Sequence, residues 1–488
     1  MHISSEVEPF FKTGGMAVVA SALPRAEVEL GHTAMVIAPY FKRLIPKGVD
    51  VQKIGSGVVT VGDERIAVEW YRGWLIEDEL PVYFISHKEF FDTRKTLYGG
   101  PDANRRFYFF GLAALELLRH LDITPDIIHC HDWQSGLVPY FIKNWFGTEK
   151  RWKNTASVFT IHNLTYQFGH DWWTVPHENW DDGYRSLPEW NDAEQMERIN
   201  FAKRAILSSD VISTVSETYR EEIMTRDFGE ELHRILKNRE KLIFGIVNGI
   251  DYDTFNPLTD PGIYKGYSEK SLFRKALNKR WLQKHYHLKI DPAAPMLCST
   301  SRMVEQKGFR LLIPILTSVL ELGAQCVIMG DGDEVIIGSL KAIERQYPKQ
   351  LRVVPFDAAL ETSLYAGADL FLLPSRFEPC GINQLIALRY GCIPIVNRIG
   401  GLADTISNYD PATGQGNGFA FKGYTARNLL VAIVRAMENY RHKRAWRLLM
   451  ASAMVEAYSW RLQAHKYIVL YNKAKRLHRS GKRNRQSA

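Results

Sequence analysis

Asp369-Leu370-Phe371-Leu372-Leu373 runs directly into Pro374-Ser375-Arg376-Phe377-Glu378-Pro379-Cys380-Gly381-Ile382, and Gly400-Gly401-Leu402-Ala403-Asp404 follows soon after. The apolar run predicts a short, fully buried strand. A strand that ends in a loop carrying one carboxylate, followed by a glycine pair opening a helix, is how α/β proteins build ligand sites. Near the start, Lys12-Thr13-Gly14-Gly15 leads into Met16-Ala17-Val18-Val19 in the same manner. One such site in each half predicts a ligand gripped between two similar domains.

The bulk properties agree. At 488 residues the chain exceeds one ordinary core, and two domains of roughly 240 residues each are expected. Hydrophobic content of 45% and charged content of 24% suit a soluble globular protein. No apolar run approaches the ~20 residues of a membrane span, so no membrane partner is expected. Met1-His2-Ile3-Ser4-Ser5-Glu6 lacks the basic start and apolar stretch of a secretory signal. The net charge is +8, but Lys473, Lys475, Arg476, Arg479, Lys482, Arg483 and Arg485 account for seven of these charges. The high pI is thus mostly a property of the tail, read as a solvated, frayed end, and no nucleic-acid partner is expected. Cys130, Cys298, Cys326, Cys380 and Cys392 are scattered, and three fall in apolar strands. That usage suits a reducing compartment and argues against a disulfide framework or a zinc cluster.

Apolar runs predict strands over 34–38, 82–85, 127–130, 157–161, 211–215 and 243–247, with a broad-faced helix over 104–121. The second half repeats the arrangement, with strands over 297–300, 325–329, 351–354, 369–373 and 393–396. Its helices would start near Phe309, Glu334, Glu361, Gln384 and Leu402. The alternation implies parallel sheets with helices on both faces. Turn residues in Asn248-Gly249-Ile250-Asp251 and Asn256-Pro257-Leu258-Thr259-Asp260-Pro261-Gly262 place the hinge there. Domains over 1–250 and 251–460 are therefore expected, followed by a helix and basic tail over 461–488. Residues 163–199 fit neither pattern and hold Trp172, Trp173, Trp180, Trp190, Tyr166 and Tyr184. Such an insertion is either functional or a compact satellite of core.

Several loops carry candidate chemistry. Glycines at Gly14 and Gly15 would let backbone N–H groups approach a phosphate, with Lys12 neutralising a diphosphate, although a bare turn accounts for the same residues. His129-Cys130-His131-Asp132-Trp133 and Phe159-Thr160-Ile161-His162-Asn163 are two polar strand ends on one rim, where α/β proteins bind ligands. A metal is not expected, for want of a third and fourth ligand at useful spacing. Arg302 and Lys307 flank the loop Ser301-Arg302-Met303-Val304-Glu305-Gln306-Lys307-Gly308 and could converge on one anion. A solvated loop is the alternative, disfavoured once Glu378 and Gly400-Gly401 are counted.

In combination these pieces resemble the bacterial and plant glycogen and starch synthases, retaining glucosyltransferases of glycosyltransferase family 5. The matches run from Ser5-Glu6 to about Trp460 and include His131-Asp132-Trp133 and Val247-Asn248-Gly249. The resemblance implies an α/β fold of the GT-B kind: two Rossmann-like, doubly wound domains facing a deep cleft, with a C-terminal helix crossing back to the N-terminal domain. It implies ADP-glucose or UDP-glucose as donor, the non-reducing end of an α-1,4-glucan as acceptor, and no metal or other cofactor. Arg302 and Lys307 would stabilise the leaving diphosphate. Glu378 would bind the glucose hydroxyls and balance charge at the anomeric carbon, while His162, Asp132 and Lys12 would act from the other domain. Donor binding would further involve Gly14, Gly15, Asn248, Phe356, Cys380, Gly381, Gly400, Gly401 and Leu402. The aromatic insertion would offer flat faces to glucan rings or form a packed cluster. A cytoplasmic location is implied, or the plastid stroma should a transit peptide have been removed.

The chain departs from the family pattern at four donor-site positions. Val18 stands where the family has Asp, Ile399 where it has Thr, Phe356 where Tyr is common and Ile386 where Tyr is frequent. Each lost hydrogen bond to a charged group costs ~1.5–3 kcal/mol. A catalytically silent paralogue that binds glucan or nucleotide is therefore the alternative to an active enzyme. Only Met1-His2-Ile3 precede Ser4, so either the first strand is short or the chain's natural start lies upstream.

Overall fold

The computed structural model describes the backbone of residues 1–486 and the side chains of residues 1–480. The chain divides into two compact units, one of Met1–Asn248 plus the segment from Trp460 on, the other of Gly249–Ser459. Among the described residues each unit is built on one sheet.

The strands of the first unit are β1 (His2–Ile3), β2 (Val36–Pro39), β3 (Gln52–Val61), β4 (Glu64–Ile76), β5 (Leu80–Ser86), β6 (Ile127–His131), β7 (Ala156–Ile161), β8 (Val211–Thr214) and β9 (Ile243–Gly245). They lie in the order β3-β4-β5-β2-β1-β6-β7-β8-β9. From β5 to β9 every pairing is parallel, whereas β3-β4 and β4-β5 are antiparallel. The Gln52–Ile76 hairpin thus adds two antiparallel strands at one edge of the sheet that the sequence reading did not contain. β1 is only two residues long yet sits in the middle of the sheet, pairing with β2 and β6. Chain direction reverses its winding between β1 and β6, and ligands of doubly wound sheets bind at such a switch point.

The second unit holds β10 (Met296–Thr300), β11 (Gln325–Met329), β12 (Leu351–Val354), β13 (Leu370–Leu373), β14 (Ile393–Asn397) and β15 (Phe419–Phe421). Their order is β12-β11-β10-β13-β14-β15, all parallel, the doubly wound pattern again. β13 is buried along its whole length, as its unbroken apolar run requires. The switch point lies between β10 and β13. The loops carrying Arg302 and Glu378 leave these two strands.

Trp460–Gln486 is one continuous helix, so the basic tail expected to fray is helical through Gln486. The side chains of Lys482, Arg483 and Arg485 lie outside the described residues. This helix packs within the first unit: Trp460, Ala464, Tyr467, Leu470 and Ala474 join Val19 and Leu23 of the Gly15–Glu29 helix and Val158 of β7 in one core. Fully burying side chains of this size contributes roughly 1.5–3 kcal/mol each. The five cysteines are buried and free, but Cys298 and Cys392, far apart in sequence, bring their Sγ atoms to 3.9 Å. No described helix is long and apolar enough to cross a membrane.

Candidate active site

In the second unit the loops after β10, β11, β13 and β14 pack backbone against backbone. Lys307 Nζ donates to Glu378 Oε2 at 2.6 Å, and Ser375 Oγ donates to the same oxygen at 3.0 Å. Ser375 is held in turn by Asn397 Nδ2, which donates to its carbonyl at 2.9 Å. Glu378 is only 8% exposed, so its charge is balanced by one ammonium at short range rather than by water. Gly308 makes this approach possible: its φ is +81°, and a Cβ there would lie 2.0 Å from the Pro374 carbonyl. Arg302 is exposed on the same loop as Lys307.

The glycine pair after β14 packs directly on the Glu378 loop. A Cβ at Gly400 (φ +44°) or at Gly401 would fall 2.1 Å from the carbonyl oxygens of Glu378 and Cys380 respectively. The Gly401 N–H donates to Glu378 O at 3.1 Å and the Leu402 N–H to Ile399 O at 3.0 Å. The Gly401 amide is thereby engaged with the Glu378 loop, while the Leu402 amide closes its own turn on Ile399. Gly381 (φ +69°) lies against Gln384, whose amide donates to the carbonyls of Cys380 and Gly381. Cys380 is buried and Phe356 exposed. Ile399 is the N-cap of the Gly400–Thr405 helix and supplies no side-chain cap, while Ile386 is buried.

Gly330-Asp331-Gly332, after β11, belongs to this cluster and was missed. Cβ atoms at Gly330 and Gly332 would lie 2.0 and 2.4 Å from the carbonyls of Ser301 and Met303. The Met303 N–H donates to Asp331 O at 2.8 Å, so the loop shapes the Arg302 segment. The signal was present as a Gly-Asp-Gly at the end of an apolar run.

In the first unit, Gly14 caps the Gly15–Glu29 helix with extended backbone, and a Cβ there would meet nothing within 4 Å. Neither conformation nor protein packing calls for glycine at Gly14, so it leaves open space beside the helix N-terminus. Lys12 is exposed and its Nζ donates to the Glu8 carboxylate at 3.2 and 3.3 Å, not to any group beside the glycines. Val18 adds no carboxylate to the first turn. The carboxylate that orders the loop is Glu6, whose Oε2 accepts the Thr13 N–H at 2.5 Å and whose Oε1 accepts the Tyr98 hydroxyl at 3.1 Å. Burial pushes the Glu6 carboxyl up despite these hydrogen bonds.

Asp132 and His162 meet at the ends of β6 and β7. Asp132 Oδ1 accepts the His162 backbone N–H at 2.7 Å. Asp132 takes φ +53°, a strained conformation for a residue with a Cβ. Burial pushes its carboxyl up to about 7, against the lowering effect of the His162 and Asn163 amides. Burial likewise drops the His162 imidazole to about 3, keeping it neutral. Asn248, the last residue of the unit's first segment, is buried. The metal expectation needs one correction: β1 supplies a third imidazole, and the ligand atoms of His2, His129 and His131 lie within 4.8 Å of one another. Every ring nitrogen of the three is already engaged in a hydrogen bond.

Part of the insertion packs as core and part of its aromatic surface is exposed. Trp190 is buried, with its indole N–H donating to Glu64, and Trp172 donates to Glu230. Tyr166, Trp173 and Tyr184 are exposed. Asp181 and Arg204 anchor the segment through a buried ion pair at 2.6 Å.

Comparison with known proteins identifies the family. Residues 1–238 match the model of the starch synthase catalytic domain, and residues 283–448 that of glycosyl transferases group 1. A glycogen synthase of Geotalea uraniireducens is 39% identical over 97% of this chain and 98% of its own. One from Clostridium perfringens is 41% identical over 96% of each. The catalytic domain of starch synthase IV from Arabidopsis thaliana, bound to ADP and acarbose, superposes with a TM-score of 0.84 at 33% identity, covering 97% of this chain and 98% of that one. Sucrose-phosphate synthase from Thermosynechococcus elongatus shares the fold at a TM-score of 0.60. With relatives this similar over nearly its full length, the chain belongs to the glycogen and starch synthase family of GT-B glycosyltransferases.

Proposed function

We propose that the protein transfers glucose from ADP-glucose to the non-reducing end of an α-1,4-glucan with retention of configuration. The observation that carries the reading is the 2.6 Å Lys307–Glu378 pair at the switch point of the second unit. It supports the reading because a leaving diphosphate and an incipient oxocarbenium need opposite charges close together, and this pair supplies a fixed cation and a fixed carboxylate. Arg302, exposed on the Lys307 loop, supplies the second cation, with a planar fork that suits phosphate oxygens. Two side-chain cations would do the work a divalent metal does in other glycosyl transfers, and no cofactor enters the reading.

Glu378 holds the glucose hydroxyls and offsets positive charge at the anomeric carbon. His162 and Asp132 position the sugar from the first unit, and the space beside Gly14 admits the donor to the helix N-terminus. Asn248, Phe356, Cys380 and Gly381 line the donor's path together with Gly400-Gly401-Leu402, whose glycines also pack on the Glu378 loop. The acceptor hydroxyl attacks the face the diphosphate leaves, and the departing phosphate oxygen takes its proton. ADP is favoured over UDP by the ADP found in the Arabidopsis starch synthase structure, and the cytoplasm is the expected location. Incubation with labelled ADP-glucose and glycogen tests this: label should enter α-1,4-linked glucan. Glucan binding without transfer from either ADP- or UDP-glucose would mark a silent paralogue instead.

A further inference from the structure

His162 does not stand alone behind the sugar site. Its Nε2 lies 3.0 Å from His131 Nδ1, His131 Nε2 lies 3.1 Å from His2 Nδ1, and His2 Nε2 lies 2.9 Å from Glu27 Oε2. Successive rings are nearly parallel, at 28° and 18°. Glu27, His2 and His131 are all buried. A second file ends on the other oxygen of the same carboxylate. Tyr471 of the last helix donates to Glu27 Oε1 at 2.8 Å, and His129 Nδ1 lies 2.8 Å from the Tyr471 hydroxyl.

An ionised carboxylate only accepts, and a neutral imidazole has one donor and one acceptor nitrogen. Burial pulls His131 well below its ordinary value, as it does His129, and His162 to about 3, so these rings carry no charge. For a neutral His2 the protons have one consistent arrangement. His2 donates Nε2–H to Glu27 and accepts at Nδ1 from His131 Nε2–H. His131 accepts at Nδ1 from His162 Nε2–H. His162 is left with an unprotonated Nδ1.

We propose that Glu27, acting through His2 and His131, is a positioning residue that fixes the tautomer of His162 and leaves its Nδ1 as an acceptor for a sugar hydroxyl. The proposal deepens the transfer reading, since it takes His162 to face the sugar; the tautomer itself stands apart from turnover. The hydrogen bonds also give the buried His2, His129 and His131 cluster a role that needs no cation, since every ring nitrogen of the three is already engaged.

The test is ring-nitrogen NMR on the full chain labelled with 15N-histidine, the His162 signals being assigned by their loss in His162→Gln. Wild type should show His162 Nδ1 unprotonated; a protonated Nδ1 would overturn the proposal without any variant. In Glu27→Gln the carbonyl can still accept from Tyr471 while the NH2 group faces His2. That reverses the file and should move the proton of His162 to Nδ1, with kcat lowered about tenfold and KM for glucan unchanged. An unshifted His162 in folded Glu27→Gln would overturn the proposal, because a role in packing alone leaves the tautomer where it was. Wild type with the expected tautomer but no glucosyl transfer would sink the transfer reading and leave the file standing.

Discussion

Lys307 Nζ and Glu378 Oε2 stand 2.6 Å apart, one on the loop after β10 and the other on the loop after β13, with Ser375 Oγ completing the carboxylate's shell. Neither side chain can be removed without leaving the other poorly compensated, because both are largely shielded from water. Lys307→Ala and Glu378→Ala should each cut kcat by about a hundred- to a thousandfold. In a double-mutant cycle the combined loss should fall well short of the product of the single losses. Losses that multiply independently would mean that the pair does not act as a unit.

The same loops depend on glycine for contact rather than for flexibility. In Gly308→Ala the new methyl would meet the Pro374 carbonyl and the residue would be held at φ +81°. Denaturant unfolding should show a loss of about 1–3 kcal/mol from backbone strain, with more from the clash. Gly14→Ala, where a Cβ meets nothing, should leave stability nearly unchanged and raise KM for the donor. A stability loss equal to that of Gly308→Ala would contradict the assignment of open space there.

Asp132 gives a pH signature. Its carboxyl lies near 7 in the folded protein, against an ordinary 3.8. Between these values the folded state holds more protons than the unfolded one, so this residue's contribution is present below about pH 4 and is lost as pH rises to about 7. Asp132→Asn removes the loss while its carbonyl can still accept the His162 N–H. Relative to wild type, the variant should gain stability with rising pH across that window, by at most about 1.4 kcal/mol per pH unit. Parallel stability curves would show that Asp132 is ionised throughout.

Ile399 tests the departures from the family pattern. It caps the Gly400–Thr405 helix without a side-chain hydrogen bond. In Ile399→Thr a cap worth about 1 kcal/mol should roughly offset the lost apolar burial, leaving the melting temperature nearly unchanged. The added hydroxyl should lower KM for the donor about tenfold, the scale of one hydrogen bond to a charged group. An unchanged KM would place position 399 out of the phosphates' reach.

Much of the fold was legible because buried parallel strands read as apolar runs. β11 and β12 fall on the residues expected, and β13 differs only in starting at Leu370 rather than Asp369. The β3–β4 hairpin was not legible, because its strands are half-exposed and carry Lys53, Glu64, Arg65, Glu69 and Arg72 among the apolar positions. At the site, Glu378 and Lys307 stood out as charges in glycine-marked loops. Lys12 had the same appearance, yet its long side chain on an exposed loop finds Glu8, four residues back. The Glu27–His2–His131–His162 file had no local signature at all. Its members come from a helix, two strands and a loop, and only the parallel register of β1 with β6 and of β6 with β7 brings them into line.

Transfer of labelled glucose from ADP-glucose to glycogen, with wild type and Glu378→Ala side by side, tests the central claim most directly. The account predicts label in α-1,4-linked glucan with wild type and at least a hundredfold less with the variant. Equal transfer by both proteins, or none by wild type from either ADP- or UDP-glucose, would contradict it.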